Sequence, residues 1–375
     1  MKSKKHLFPS LIATLIFLLC LGIYLGYGNY RKGPEYTLKK ELDLLKNLDQ
    51  RTLTEFISYE DLYGLKAEEG EDLPSSVMEV FHLFFENFNY KIKDTKTIND
   101  AYAFITVQLT TLDAKAVAKE YYRQIFSYSM TNNLEALSQT EKESTSLYFV
   151  ILRDILKSTS FDTVTKEIDI KLVKKYNRWT LQTDSNLEDQ LVGGFVTYVN
   201  HTNLFTPEET VDMIFSTWKK LTAKQLLRYM GFHDIFSTAD EYSDQIDLAI
   251  AEQILNHLDY EIISSHEENG NAVVSVQVTS LSLDHILSDY ADSLIMYAAT
   301  SEALISNAKD KAAKINELLL HAVQENTAET TTAVDLILKN DGRSWNLELT
   351  DSFIDTILGG LNAATESFNA VLGDK

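Results

Sequence analysis

One stretch of this chain occurs twice, and the duplication limits the folds open to it more than any other feature. From Ile168 to Phe195, and again from Val334 to Leu361, the same residue types follow in the same order. An alternating segment (Ile168, Ile170, Leu172; Val334, Leu336, Leu338) meets a turn and then a second strand headed by Trp179 or Trp345. A helical pattern follows, carrying Leu191-Val192-Gly193-Gly194 in one copy and Ile357-Leu358-Gly359-Gly360 in the other. The tryptophans and the leading glycines of the two copies both stand 166 residues apart. A chain of 375 residues built this way is expected to form two similar domains, each of about 170 residues and able to bury its own core. The expected division is a leader at 1–27, a first repeat at 28–200 and a second at 201–375. The linker between them, Asn200 to Phe205, is short, which favours domains that touch over domains that swing freely.

The leader is a different material. Lys2, Lys4 and Lys5 precede Leu7 to Tyr27, a run with no charged residue. At about 1.5 Å of rise per residue it reaches across a hydrocarbon core about 30 Å thick. Its length, and the lack of an A-x-A-like site, favour an uncleaved membrane anchor over a cleaved secretory signal. Cys20 is preceded by Leu19, a bulky residue where lipid-modified cysteines resemble one another in having Gly, Ala or Ser, so it is expected to be an apolar residue in the membrane. As the one cysteine, it also excludes an intramolecular disulfide. The flanking lysines predict a cytoplasmic N-terminus and a body outside the cytoplasmic membrane. The net charge of −21 argues against nucleic acid as a partner, because that binding depends on Lys and Arg neutralising phosphates.

Within each repeat the patterning predicts helices first. Thr206-Pro207-Glu208-Glu209 reads as a capping box with proline at the first helical position, and Gly33-Pro34-Glu35 is a weaker version. Leu38, Leu42, Leu45 and Leu48 correspond to Val211, Phe215, Trp218 and Leu221 at helical spacing, so both sets are expected in the core. Asp49 and Thr222 should cap a second, short helix. Val80, Phe84, Phe85 and Phe88 in a third helix match Ile250, Ile254, Leu255 and Leu258. Tyr63 to Pro74, with four acids and two glycines, reads as an exposed loop.

A β-hairpin is expected next. Its first strand is short, around Tyr90 to Ile92 or Tyr260 to Ile262, and its turn lies at Asp94 to Asn99 or Asn269-Gly270. In the longer strand Ala103, Ile105, Val107 and Leu109, or Ala272, Val274, Val276 and Val278, form one apolar face. About fifty residues of helix follow. In the first copy Ser138 and Glu141 suggest a capping box; in the second, Asp284 to Ala328 is either one helix or a hairpin bent near Ser306-Asn307. The closing hairpin turns at Lys175 to Arg178 or Asn340-Asp341-Gly342, and Asp184 or Asp351 should cap the last helix.

Helices followed by an antiparallel sheet ending in a W-x-L segment resemble the nuclear-transport-factor-like cone, also called the ketosteroid-isomerase-like or cystatin-like fold. Val107-Gln108-Leu109-Thr110 with Arg178-Trp179-Thr180-Leu181 carry the likeness in the first copy. Val276-Gln277-Val278-Thr279 with Ser344-Trp345-Asn346-Leu347 carry it in the second. The added Gly-Gly helix looks like that of membrane-bound or lipid-anchored surface proteins of Gram-positive bacteria. The resemblance implies an α+β class, with helices packed on a curved antiparallel sheet in each repeat, and implies little about activity.

Chemistry is harder to find. Cone-fold enzymes project a carboxylate or histidine into the cavity, whereas the inward positions here are Ala, Ile, Val and Leu. Asp169 and Asp335 should point outward, and Asp189 and Asp355 should lie on a solvated helix face. No histidine pair has metal-ligand spacing, and His266-Glu267-Glu268 sits at a hairpin. Gly193-Gly194 and Gly359-Gly360 lie in the helical pattern, where close packing against the sheet explains them better than a phosphate loop. Gln108 and Gln277 are corresponding polar residues on the outer sheet face. The sequence therefore supplies no catalytic, cofactor or metal residue. Its leading expectation is a single-pass, anchored, non-catalytic binding or interaction module whose partners are the membrane, through Leu7 to Tyr27, and a protein or small-molecule ligand. A scaffold of a conjugation or secretion apparatus and a cone-fold isomerase or hydrolase are the alternatives.

Overall fold

The computed structural model describes residues 33–47, 74–131, 141–176, 178–200, 203–231 and 242–373. The chain divides into two compact units with the boundary between Leu204 and Phe205. Among the described residues it holds fourteen helices and two four-stranded antiparallel sheets, each with its strands in chain order. The class is α+β.

In the first unit the order is α1 (Pro34–Lys46), α2 (Ser75–Phe85), β1 (Asn89–Asn99), β2 (Tyr102–Leu112), α3 (Ala114–Thr131), α4 (Glu141–Ser158), β3 (Thr163–Lys175), β4 (Arg178–Leu181), α5 (Ser185–Leu191) and α6 (Phe195–Asn200). The second unit runs α7 (Pro207–Trp218), α8 (Ala223–Met230), α9 (Ser243–His257), β5 (Asp259–Glu268), β6 (Asn271–Leu281), α10 (Leu283–Ala298), α11 (Ser301–Ile305), α12 (Ala308–Gln324), β7 (Glu329–Asn340), β8 (Trp345–Leu347), α13 (Asp351–Ile357) and α14 (Leu361–Gly373).

Alternation decides which sheet face is covered. Ala103, Ile105, Val107 and Leu109 on β2 are almost wholly buried, as are Ala272, Val274, Val276 and Val278 on β6. Helices pack over both strands, so removal of these side chains from water drives the helix-on-sheet layering. The expected aromatic stripes join them. Phe84 meets Phe195 edge to face with ring centroids 5.2 Å apart, and Phe353 stacks on Trp218 at 5.8 Å. Each sheet is also tied to its opening helix by a tyrosine. Tyr90 donates to Asp43 at 2.6 Å and Tyr260 to Asp212 at 2.8 Å. Burial, with the carboxylate beside it, raises both phenol pKa values.

Several boundaries depart from expectation. The first hairpin strand is not short: β1 and β5 continue to Asn99 and Glu268. Asp94 to Asn99, expected as the turn, is strand, and the turn falls where Asn99 Oδ1 accepts from the Ala101 and Tyr102 amides. Polar residues fit there because only one face of the strand is covered, and β1 is a sheet edge. The Asn269-Gly270 turn forms as expected, both residues at positive φ. A β-bulge interrupts both edge strands at corresponding places, after Ile92 and after Ile262.

The second helical insertion is a hairpin bent at Ser306-Asn307, where Asn307 caps α12; a further break at Thr300 separates α10 from α11. Thr206 and Thr222 form full capping boxes with Glu209 and Gln225. Asp184 caps α5, but the cap of α13 is Thr350, with Asp351 displaced to the first helical position. Asp184 and Thr350 are the residues that correspond when the two copies are aligned on their tryptophans.

The Gly-Gly pairs are not inside a helix. They form the break between α5 and α6 and between α13 and α14, with all four glycines at φ between 70° and 90°. A chain that must turn through the left-handed region selects glycine. The anchor expected at Leu7 to Tyr27, the Asp49 cap with its helix, Ser138, and the loop from Tyr63 lie outside the described residues. Among the described residues no helix is long and apolar enough to cross a membrane.

Candidate functional site

The face of each sheet turned away from the helices is the patterned surface that the two units share. Thr106 donates to Asp169 at 2.6 Å and Ser275 to Asp335 at 2.6 Å, the same hydroxyl–carboxylate pair across β2–β3 and β6–β7. Farther along, Thr110 and Thr165 are 3.1 Å apart and Thr279 and Thr331 are 2.8 Å apart. Between these rungs lie Gln108, opposite Lys91 and Glu167, and Gln277, opposite Glu261 and Ala333. Cross-strand pairs of this kind stabilise sheets modestly, and they leave the glutamines on a solvated surface.

Around this shared frame the two faces differ in charge. In the first unit Lys91, Lys96, Lys171 and Lys175 hold outer positions, with Lys93 at the bulge and 3.9 Å from Glu167. Lys171 Nζ sits 5.1 Å from the centre of the Tyr102 ring, a cation–π contact. Tyr102 is 40% exposed and Phe104 38%. The second unit has Glu261 where the first has Lys91, Ile263 for Lys93, His266 for Lys96 and Ile337 for Lys171. Its acids Glu261, Glu268 and Asp335 face one outer lysine, Lys339, which pairs with Glu348. A shallow hollow of about 320 Å³ opens here, lined by His266, Glu268, Asn269, Asn271 and Val273.

The structure also places the other residues that the sequence singles out. Asp189 does more than face solvent. Its backbone carbonyl accepts from Gly194 at 2.7 Å, and its carboxylate accepts from the Val196 amide at 2.9 Å and from the Thr197 hydroxyl, capping α6 across the glycine turn. Asp355 repeats this, accepting from Gly360 through its carbonyl and from the Asn362 amide at 2.8 Å through its carboxylate. The glycines let that turn sit against the sheet. A Cβ on Gly193 would lie 2.7 Å from Thr111 Oγ1, and one on Gly359 only 2.0 Å from the Leu281 carbonyl oxygen. His266, Glu267 and Glu268 end β5, and no group of metal-ligating side chains occurs among the described residues. The helical insertion of the second unit carries the exposed apolar residues Met296, Leu304 and Ile305.

Three buried acids escaped the sequence reading, Asp247 on α9 and two whose pKa is raised. Glu41 lies in the α1 stripe with Leu38, Leu42 and Leu45, and Glu188 is 3% exposed on α5. Burial raises the pKa of Glu41, and burial with the nearby Asp184 charge pushes Glu188 up to about 7. Their positions in the apolar stripes were the available signal, three residues from Leu38 and from Leu191. The corresponding residues of the second copy are Ile214 and Ile354, so neither acid belongs to a duplicated site.

What emerges is a chain of two α+β units, each with a four-stranded antiparallel sheet, a packed inner face and a patterned outer face. No protein-family model and no curated protein matches it. Among solved structures it is similar to a Bacillus subtilis protein described as a "putative lipoprotein", YcdA, at 10% identity and a TM-score of 0.27. That match covers 73% of this chain and 96% of the other.

Proposed function

We propose that this chain is a membrane-anchored, extracytoplasmic binding module that works without catalysis, and that its partners meet the outer sheet faces. The observation that carries this reading is the contrast between the two sides of each sheet. The side where a cone-fold enzyme would hold its cavity is filled by Ala103, Ile105, Val107 and Leu109, or by Ala272, Val274, Val276 and Val278, all buried. The opposite side holds Tyr102 and Phe104 exposed among charged residues on a repeated hydrogen-bonded frame, and exposed aromatic side chains are enriched where surfaces contact partners. In keeping with the strand order and the W-x-L segments, we assign each unit to the cone-like class. The apolar run at Leu7 to Tyr27, preceded by three lysines, supplies the anchor and its orientation.

Two measurements test this. With an epitope at the C-terminus of the full chain, protease added to intact cells should remove the epitope, and the chain should sediment with membranes. A protected epitope sinks the extracytoplasmic placement. In an unbiased hydrolase and isomerase screen the purified full chain should show no turnover; turnover abolished by a single substitution would replace this reading with an enzyme.

A further inference from the structure

The duplication left two sheet faces with one backbone plan and opposite charge. We propose that the outer sheet face of the first unit docks on the outer sheet face of the second unit of another copy of this chain. This rests on the outer faces being binding surfaces and names their occupant.

Charge complementarity carries the argument. Lysines at 91, 93, 96, 171 and 175 outnumber Asp94, Glu167 and Asp169 on the first face. On the second, Glu261, Glu268 and Asp335 stand against a single lysine already held by Glu348. At corresponding positions Lys91 gives way to Glu261 and Lys171 to Ile337, so the second face carries an acid or no charge where the first has lysine, while spacing is kept. Both sheets have the same strand order and a bulge at the same place in their edge strands, after Ile92 and after Ile262. Face-to-face sheets pack about 10 Å apart when side chains interdigitate.

Apolar groups add to the contact near the hairpin ends of the sheets. Tyr102 and Phe104 are exposed on the first face, and Ile263 and Val273 on the second. The net charge of −21 opposes association at long range, but at physiological salt the Debye length is about 8 Å, so the local pairing of faces decides the outcome. A contact between unlike faces is heterologous, and it propagates into open chains of molecules unless a ring closes.

Sedimentation velocity on the full chain in non-ionic detergent tests this. At physiological salt the weight-average mass should climb with protein concentration, to roughly double that of a single chain or more, and high salt should lower it. Reversal of the first face (Lys91→Glu, Lys96→Glu, Lys171→Glu) or of the second (Glu261→Lys, Glu268→Lys) gives a chain whose two faces carry like charge, and each variant should stay monomeric. Mixed in equal amounts, the two variants retain one native pair of faces between them. By the same charge rule the two reversed faces also pair with each other, so the mixture should regain association and its mass should again climb with concentration. If a multiple variant fails to fold, the single reversals Lys91→Glu and Glu261→Lys provide the same comparison, with partial weakening expected in each and recovery in the mixture.

A wild-type chain that stays monomeric, variants that associate like wild type, or a mixture that does not associate overturns the proposal. In that event, retention of the monomer on a heparin column, lost on reversal of the first face, would assign the lysine face to a polyanion. The binding-module reading would survive that result.

Discussion

Gly359 and Glu188 show how single residues set limits on each unit. At Gly359 a Cβ would lie 2.0 Å from the Leu281 carbonyl oxygen, and φ is +70°. Gly359→Ala therefore combines steric overlap with backbone strain and should destabilise the fold by about 3 kcal/mol or more. Gly360 has the same backbone hand but open space around it, so Gly360→Ala should cost only about 1 kcal/mol. Urea unfolding of the two variants separates the contributions. Glu188 makes a pH-dependent contribution. Its carboxyl titrates at about 7 in the fold against 4.5 ordinarily, so between those values the folded chain binds more protons than the unfolded one. Stability falls as pH rises through that window and is level above it. Glu188→Gln should match wild type at about pH 4 and exceed it by on the order of 2 kcal/mol at about pH 8. Equal pH dependence of the two proteins would refute this.

At the scale of elements, side chains at helix starts fix where each helix begins. Thr206 closes a reciprocal capping box with Glu209, whereas α1 begins at Gly33 with no side-chain bond to its cap. Thr206→Ala should thus lower the unfolding free energy by about 1 kcal/mol, measurable as a shift in the urea midpoint. Asp189 and Asp355 are a further kind of cap. Each closes one helix with its backbone carbonyl and opens the next with its carboxylate. Both ends of the break are satisfied by one residue, which accounts for its place four or five residues before the glycines.

Across the whole molecule, the two units pack their own cores, with the boundary between Leu204 and Phe205. Damage in one core should therefore stay local in native-state exchange. In Gly359→Ala, hydrogen–deuterium exchange should quicken in peptides from 205–375 while those from 74–131 keep wild-type rates. Quickening in both would show that the units unfold together. Duplication also explains how the outer faces could diverge. Substitutions at Lys91 and Glu261 cost little folding energy on a solvated face, while the inner positions stayed apolar in both copies.

The sequence by itself determined the repeat, the α+β composition, the apolar strand faces and the capping boxes, because alternation, helical spacing and capping chemistry act over a few residues. Tertiary structure decided the rest. Asp94 to Asn99 reads as a turn until β2 is laid beside it and supplies hydrogen-bond partners for a strand whose side chains need no burial. Gly193-Gly194 and Gly359-Gly360 read as helix until the ends of β2 and β6 press against them and force the chain into the left-handed region. Glu41 and Glu188 become buried acids only when helices close over them. The charge contrast of the outer faces needed strand register, since Lys91 and Lys171 meet on one surface only when β1 and β3 flank β2. Contacts between residues distant in the chain carry no local signature, and the patterned face of this protein is made of such contacts.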